Sequence, residues 1–266
     1  MKRSVFGDSG GAHHRFGLLS RAPGVVHSVF SRRGGVSPPP FASLNVSKDV
    51  GDSGEAVREN LLRIKSSLEL ERLVRTSQVH GDSVRVVDAE ALAGADFEPP
   101  VHVLPPADAL VTDLKGVGLM IGIADCQAVF LVDPVRKAIG NAHCGWKGSV
   151  QAILPKTVKL MERRYGSRPS DLLACISPSL GPCCAEFKNH RTELPSSFLP
   201  FQVKPDYFDF WAISRMQLEA AGLLPENIET AGRCTVCGTR NFFSYRGEGK
   251  TGRMAAVLAL GGEGVE

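Results

Sequence analysis

Apolar residues in this chain gather in short dense runs, most of them closed by Gly, Pro or Asp. Runs of that length between turn signals read as buried strands. Strands are expected at residues 25–30, 73–79, 83–87, 107–112, 118–124, 138–142, 172–176 and 254–259, with a further strand-like stretch at 242–246. The apolar residues from 118 to 133 and from 137 to 143 flank Asp133-Pro134 and predict a hairpin. A helical period appears at 53–70, with Ser53 as N-cap and Leu61, Leu62, Ile64 and Leu68 as its apolar stripe. It appears again at 148–165, ahead of Gly166, and at 210–221, ahead of Gly222. Residues 31–52 read as a long loop, and 89–106 as irregular and acidic. Residues 1–22 are polar and Gly-rich and read as a flexible tail with His13-His14 as a surface pair. Strands and helices then intermix without a break in composition, so residues 23–266 read as a single domain of mixed α/β (α+β) class.

Composition narrows the function classes. Hydrophobic content of 43% and charged content of 22% are ordinary for a globular chain, and a net charge of +3 is too small and too scattered to suggest a nucleic-acid partner. No apolar run approaches the roughly 20 residues that span a bilayer, and the N-terminus lacks the apolar centre of a signal peptide. Seven cysteines, an odd number, in a chain long enough to need no disulfides point to a reducing cytoplasm.

The candidate chemistry centres on Ala124-Asp125-Cys126-Gln127 and Asn141-Ala142-His143-Cys144-Gly145-Trp146-Lys147-Gly148. Cys126 and His143 each close an apolar run. If the strands at 118–124 and 138–142 are neighbours that end together, they place thiol and imidazole side by side at one rim of a sheet. His80, in Gln78-Val79-His80-Gly81, has a similar setting between two strands. Two imidazoles and a thiolate can hold zinc with one position open. Thiol beside imidazole is also a nucleophile and its base. Spacing alone separates neither from buried structural residues. Gly-Trp-Lys-Gly before a helix suggests an anion site at the helix N-terminus, with Arg32, Arg33, Lys147 and Arg246 as cationic partners. Cys234-Thr235-Val236-Cys237 is the single C-x-x-C, and Cys183-Cys184 would complete a four-sulfur set; structural or incidental thiols are the simpler expectation.

Several stretches resemble the laccase-domain family, once labelled multicopper polyphenol oxidases. They are Arg33-Gly34-Gly35-Val36-Ser37, Ser43-Leu44-Asn45, Gln78-Val79-His80-Gly81, Ala107-Asp108-Ala109-Leu110-Val111-Thr112, Ala124-Asp125-Cys126 and His143-Cys144-Gly145-Trp146-Lys147-Gly148. Gly181-Pro182-Cys183-Cys184, Cys234-Thr235, Phe242-Phe243-Ser244-Tyr245-Arg246 and Thr251-Gly252-Arg253 follow in order. The resemblance implies a layered sandwich of mixed sheets flanked by helices. It also implies a metal site at His80, Cys126 and His143, with zinc the first choice and copper the second. The implied reactions are phosphorolysis of adenosine, inosine and methylthioadenosine and hydrolytic deamination of adenosine, with purine nucleosides and phosphate as partners. One bacterial branch is linked to editing of peptidoglycan precursors. Three positions depart from the family pattern: Ala128 stands where proline is usual, Cys144 where alanine is usual, and Lys147 where arginine is usual. Polyphenol oxidation by multiple coppers needs more imidazoles, in His-x-His pairs, than seven histidines with no such pair.

Under this reading Asp125 is a proton carrier beside the metal, Arg33 and Lys147 hold phosphate, and Asn45 and Gln78 contact sugar or base. A cysteine hydrolase or amidase acting on a cell-wall precursor, with Cys126 as nucleophile and His143 as base, is the first alternative. A non-enzymatic zinc-containing partner protein is the second.

Overall fold

Strands that are buried on both faces carry no alternating pattern, and that is what the dense apolar runs become. The structure, a computed structural model, describes residues 7–8 and 13–261. In chain order the early strands are β1 (Gly7–Asp8), β2 (His13–Arg15), β3 (Val25–Phe30), β4 (Arg72–Thr76), β5 (Val84–Val86), β6 (Asp96–Glu98), β7 (Val101–Leu104) and β8 (Ala109–Thr112). They are followed by β9 (Val117–Ile123), β10 (Gln127–Asp133), β11 (Ala138–Cys144), β12 (Leu173–Ile176), β13 (Gln202–Lys204), β14 (Tyr207–Phe208), β15 (Ile228–Thr230) and β16 (Met254–Leu260). The helices are α1 (Gly54–Ser67), α2 (Ala89–Ala93), α3 (Trp146–Val150), α4 (Ile153–Tyr165), α5 (His190–Glu193), α6 (Phe210–Ala220) and α7 (Tyr245–Glu248). Two mixed sheets carry most strands, in the spatial orders β1-β2-β3-β16-β9-β4-β7-β6 and β15-β12-β10-β11-β8-β5; β13 and β14 form a small ribbon.

The layers follow from which face each residue takes. Leu119, Ile121 and Ile123 of β9, with Ala256 and Leu258 of β16, meet Ala128, Phe130 and Val132 of β10 in one core between the sheets. On the outer face of the first sheet, Met120, Ala255, Val257 and Ala259 pack on Val57, Leu61 and Ile64 of α1 and on Leu68. On the outer face of the second, Val129, Leu131 and Ala142 pack on Leu154, Val158 and Met161 of α4 and Leu218 of α6. The result is helix, sheet, sheet, helices: the layered sandwich of mixed sheets that the family resemblance implied. Asn141, fully buried between the sheets, ties them by donating to the carbonyls of Leu119 at 2.9 Å and Ala256 at 3.0 Å.

Local expectations fared unevenly. Ser53 caps α1 by accepting from the Ala56 N–H, and β10 and β11 form the expected hairpin, with Asp133 opposite Ala138. Leu62, however, is exposed rather than part of the stripe. The single helix expected at 148–165 is two, because Pro155 has no N–H and its ring would meet the carbonyl four residues back. The chain turns left-handed at Ala152 and α4 restarts at Ile153. Residues 89–106, expected to be irregular, hold α2, β6 and β7, and the stretch at 242–246 is no strand but leads into α7. The tail expected over 1–22 is part of the fold from His13 on: β2 pairs with β3, and Phe16 and Leu19 are fully buried. His14 is buried, not a surface residue, with its ring 5.8 Å from that of Phe242. Residues 1–6 and 9–12 of that expected tail lie outside the described residues.

Candidate metal centre and cavity

Three connections carry the chain from the first sheet to the second, and each delivers one site residue. Residues 77–83 join β4 to β5 and present His80; residues 105–108 join β7 to β8 and present Asp108; residues 124–126 join β9 to β10 and present Cys126. The strands at 118–124 and 138–142 are therefore not neighbours in one sheet, as expected, but lie in different sheets. Cys126 reaches His143 because β10 pairs with β11, with Ala128 opposite His143 and Gln127 opposite Cys144. The donor atoms of His80, Cys126 and His143 all lie within 4.8 Å of one another. The two imidazole centroids are 4.9 Å apart with the rings at 76°.

One buried carboxylate organises this convergence. Asp108, fully buried at the start of β8, accepts from the Nδ1 of His143 at 2.8 Å. It also accepts from the backbone N–H groups of Val79 at 3.2 Å, His80 at 3.0 Å and Gly81 at 2.7 Å. A carboxylate can only accept here, so Nδ1 carries the proton and Nε2 of His143 is left for a metal. The same contacts hold His80 at φ +57°, a left-handed conformation that an unsupported histidine seldom takes.

Charge in the site is set by the same neighbours. Burial pushes the Cys126 thiol up, but His143 and His80 outweigh it and bring it down to about 6. Burial disfavours protonation of His143, yet Cys126 and Asp108 raise it to about 9. Burial would raise Asp108, but His143 and the Gly81 N–H hold its carboxyl below the usual range. Two imidazoles and a thiolate that ionises readily, with a carboxylate behind one imidazole, are the donor set of an open metal site. Space at the thiolate is kept by Gly145, where a Cβ would stand 2.7 Å from the Cys126 sulfur.

The three donors open into a cavity of about 720 Å³, within the range of small-molecule sites. Its walls include the aromatic rings of Trp146, Phe187, Phe210 and Tyr245 and the cationic side chains of Lys48, Arg75, Arg246 and Arg253. Lys48 at 2.9 Å and Arg75 at 3.2 Å both pair with Glu98. Arg253 donates to the carbonyls of Thr251 and Gly252, and Cys126 and Asp125 act on it as nearby negative charges.

Of the substrate contacts expected from sequence, Arg246 is at the cavity, donating to the Glu186 carbonyl at 2.9 Å. Gln78 also lines it, but its amide is engaged in two bonds to the backbone of Gly122, at 2.8 and 2.9 Å. Asn45 is a correction. It is fully buried and its amide is committed to Ser47, Asp52 and the Arg253 N–H, so it sets the position of Arg253 rather than touching a ligand. Arg33 and Lys147 are corrections too. Arg33 is exposed and points its Nε to the Arg240 carbonyl, while Lys147 lies over the Trp146 ring at 5.5 Å, and neither lines the cavity. Asp125 lies beside the donors, but its carboxylate accepts from Thr235 Oγ1, Ser244 Oγ and the Arg246 N–H, each at 2.6 Å. Three short bonds make it a brace for the strand crossing, not a free proton carrier.

Sequence reasoning missed Asp108, Lys48, Arg75 and Arg253 as site residues. Asp108 did leave a signal: an acid beside the apolar run of β8 has to be partnered when buried. The four thiols of Cys183, Cys184, Cys234 and Cys237, read above as structural or incidental, converge in a second cluster within 4.8 Å.

Residues 26–261 match the family described as multi-copper polyphenol oxidoreductase laccase, and the chain belongs to this family. A Geobacillus stearothermophilus protein named purine nucleoside phosphorylase YlmD is 37% identical over 249 residues, spanning 88% of this chain and 90% of that one. A Bacteroides thetaiotaomicron protein named purine nucleoside phosphorylase is 33% identical over 254 residues, 91% of this chain and 94% of the relative. The crystal structure of YlmD from Geobacillus stearothermophilus superposes with a TM-score of 0.88, at 32% identity, over 97% of this chain and all of that one (100%). A Bacillus licheniformis hypothetical protein, YfiH, gives a TM-score of 0.85 at 30% identity, over 96% and 98% of the two chains.

Proposed function

We propose that this protein is a zinc-dependent purine nucleoside phosphorylase acting on adenosine, inosine and methylthioadenosine, with hydrolytic deamination of adenosine as a second reaction. The observation that carries the reading is the meeting of His80, Cys126 and His143 at a cavity that also holds four cationic side chains and four aromatic rings. The printed names of relatives at 37% and 33% identity support the same activity.

Phosphorolysis forms a bond from a phosphate oxygen to the ribose C1′ as the C1′–N9 bond breaks, and the electron pair and a proton go to the departing purine. The chain's part is to hold the two reactants in line. Arg75 and Arg253, with Lys48 at the rim, supply charge-assisted hydrogen bonds to a phosphate, which competes with Glu98 for the first and third of them. Phe187, Phe210 and Tyr245 offer faces and edges to a purine ring. His80, Cys126 and His143 would hold zinc, which when bound would supply Lewis acidity beside the substrate. Deamination uses the same cavity with water in place of phosphate: its oxygen bonds to C6 and ammonia leaves. Cysteines that are all free thiols suit a reducing, cytoplasmic setting.

A second reading has one specific observation in its favour. Asp108 orients His143, which faces Cys126, in the order of orienter, base and nucleophile found in covalent hydrolases. His80 separates the two: the metal site needs it as a donor, whereas the nucleophile–base pair uses it only to favour the thiolate. The phosphorylase reading predicts that His80→Ala and Cys126→Ala each lose bound zinc and nucleoside turnover. Full turnover in metal-free His80→Ala, with inactivation by iodoacetamide, would instead establish the cysteine hydrolase.

A further inference from the structure

The four thiols away from the cavity are arranged as a site. Cys183 Sγ and Cys184 Sγ each lie 3.6 Å from Cys237 Sγ, and all four sulfurs lie within 4.8 Å of one another. A zinc ion with four thiolates at about 2.3 Å in a tetrahedron sets its sulfurs about 3.8 Å apart. The observed separations are close to those edges and far longer than the roughly 2 Å of a disulfide.

The backbone is shaped to bring the sulfurs together. Two loops carry them, one through Gly181-Pro182-Cys183-Cys184 and one through Cys234-Thr235-Val236-Cys237. A Cβ on Gly181 would stand 2.9 Å from both Cys234 Cβ and the Trp211 ring, so only glycine lets the loops approach. A Cβ on Gly238 would stand 2.9 Å from the Phe242 ring and 3.1 Å from the Cys234 carbonyl, on which the turn closes through its N–H at 3.0 Å. The Gly181 N–H donates to Cys234 Sγ at 3.4 Å, the contact a metal-bound thiolate takes from its own loop. Residues 231–244 hold no helix and no strand beyond the isolated bridge of Ser179 to Cys234. A segment with so little regular structure gains from a cross-link.

We infer that Cys183, Cys184, Cys234 and Cys237 form a second, structural metal site that binds zinc through four thiolates. Its position gives it a task. Thr235, between two of the ligands, donates to the Asp125 carboxylate at 2.6 Å, and the Leu180 N–H, beside Gly181, donates to the Asp125 carbonyl at 2.8 Å. Both loops thus grip the residue next to Cys126, which stands at φ +91° and depends on such support. The site clips the two loops and, through Asp125, holds Cys126 in place.

The test is a metal count on the full chain, purified under reducing conditions in metal-depleted buffer, reloaded with zinc and freed of excess. Wild type is expected to hold two zinc equivalents, and His80→Ala/His143→Ala and Cys183→Ser/Cys237→Ser one each. Cobalt substituted into His80→Ala/His143→Ala is expected to give sulfur-to-metal charge-transfer absorption of a four-thiolate centre. Should the serine variant not fold, thiol titration of His80→Ala/His143→Ala decides. Four thiols shielded with metal and exposed by chelator support the site. A zinc-free His80→Ala/His143→Ala protein, or the four cysteines recovered as disulfides, overturns it. None of these readouts depends on nucleoside turnover, so the inference stands or falls apart from the phosphorylase reading.

Discussion

Asp108 accepts from His143 Nδ1 at 2.8 Å while its two oxygens also hold the N–H groups of residues 79, 80 and 81. One carboxylate thus fixes both histidines of the candidate metal centre, though they come from different parts of the chain. Asp108→Asn keeps the volume but replaces one accepting oxygen with a donor facing N–H groups. Leaving buried donors unpaired costs about 1–3 kcal/mol each. A change behind a ligating histidine weakens metal affinity by roughly 10–100-fold. Competition with a zinc chelator and urea unfolding of the same variant are expected to show both losses.

Gly145→Ala tests the room at the thiolate. The added methyl would stand 2.7 Å from Cys126 Sγ, at a backbone φ of −82° that alanine accepts freely. The expected outcome is a folded protein, by circular dichroism, whose zinc content falls well below that of wild type. Undiminished zinc would mean that the sulfur lies elsewhere.

The proposed phosphorylase reading gives phosphate to residues that sequence spacing did not suggest. Arg75→Met is expected to raise KM for phosphate by about tenfold or more, as loss of a charge-assisted contact worth roughly 1.5–3 kcal/mol requires. KM for the nucleoside is expected to change far less. Arg33→Ala, outside the cavity, is expected to leave both values near wild type.

His27 makes acid stability a property of the core. Its Nε2 accepts the Phe16 N–H at 2.8 Å, and burial, then the nearby Arg15, lowers its pKa from 6.5 to about 4. Between those values the unfolded chain binds the extra proton and the folded chain does not, so stability falls as pH drops through that window. The contribution is complete above pH 6.5. Its loss by pH 4 is on the order of 3 kcal/mol. Urea unfolding at pH 7 and pH 5 is expected to show a smaller pH difference in His27→Gln than in wild type.

The contrast between Cys126 and Asn45 shows what was legible in the chain. Both stand in short motifs, and the apolar runs, the β10–β11 hairpin and the meeting of His80, Cys126 and His143 followed from sequence and resemblance. Roles that depend on hydrogen bonds across long separations did not. Asn45 is polar and near the site in space, yet its bonding capacity is spent on the chain itself, over separations as long as 208 residues to Arg253. Arg75 looked like one of many scattered charges because β4 lies far in sequence from the residues it faces. The two sheets also hid the geometry: strands adjacent in sequence, β4 with β5 and β9 with β10, lie in different sheets. The four-sulfur cluster required loops about 50 residues apart to meet, which a single C-x-x-C does not announce.

Protein of measured zinc content, incubated with adenosine with and without phosphate, gives the most direct test of the phosphorylase reading. Ribose-1-phosphate is expected only when phosphate is present, in an amount equal to adenine plus hypoxanthine, lost on chelation and regained with zinc, while inosine forms with or without phosphate. Absence of ribose-1-phosphate from zinc-loaded protein, or its undiminished formation by metal-free protein, would contradict the account.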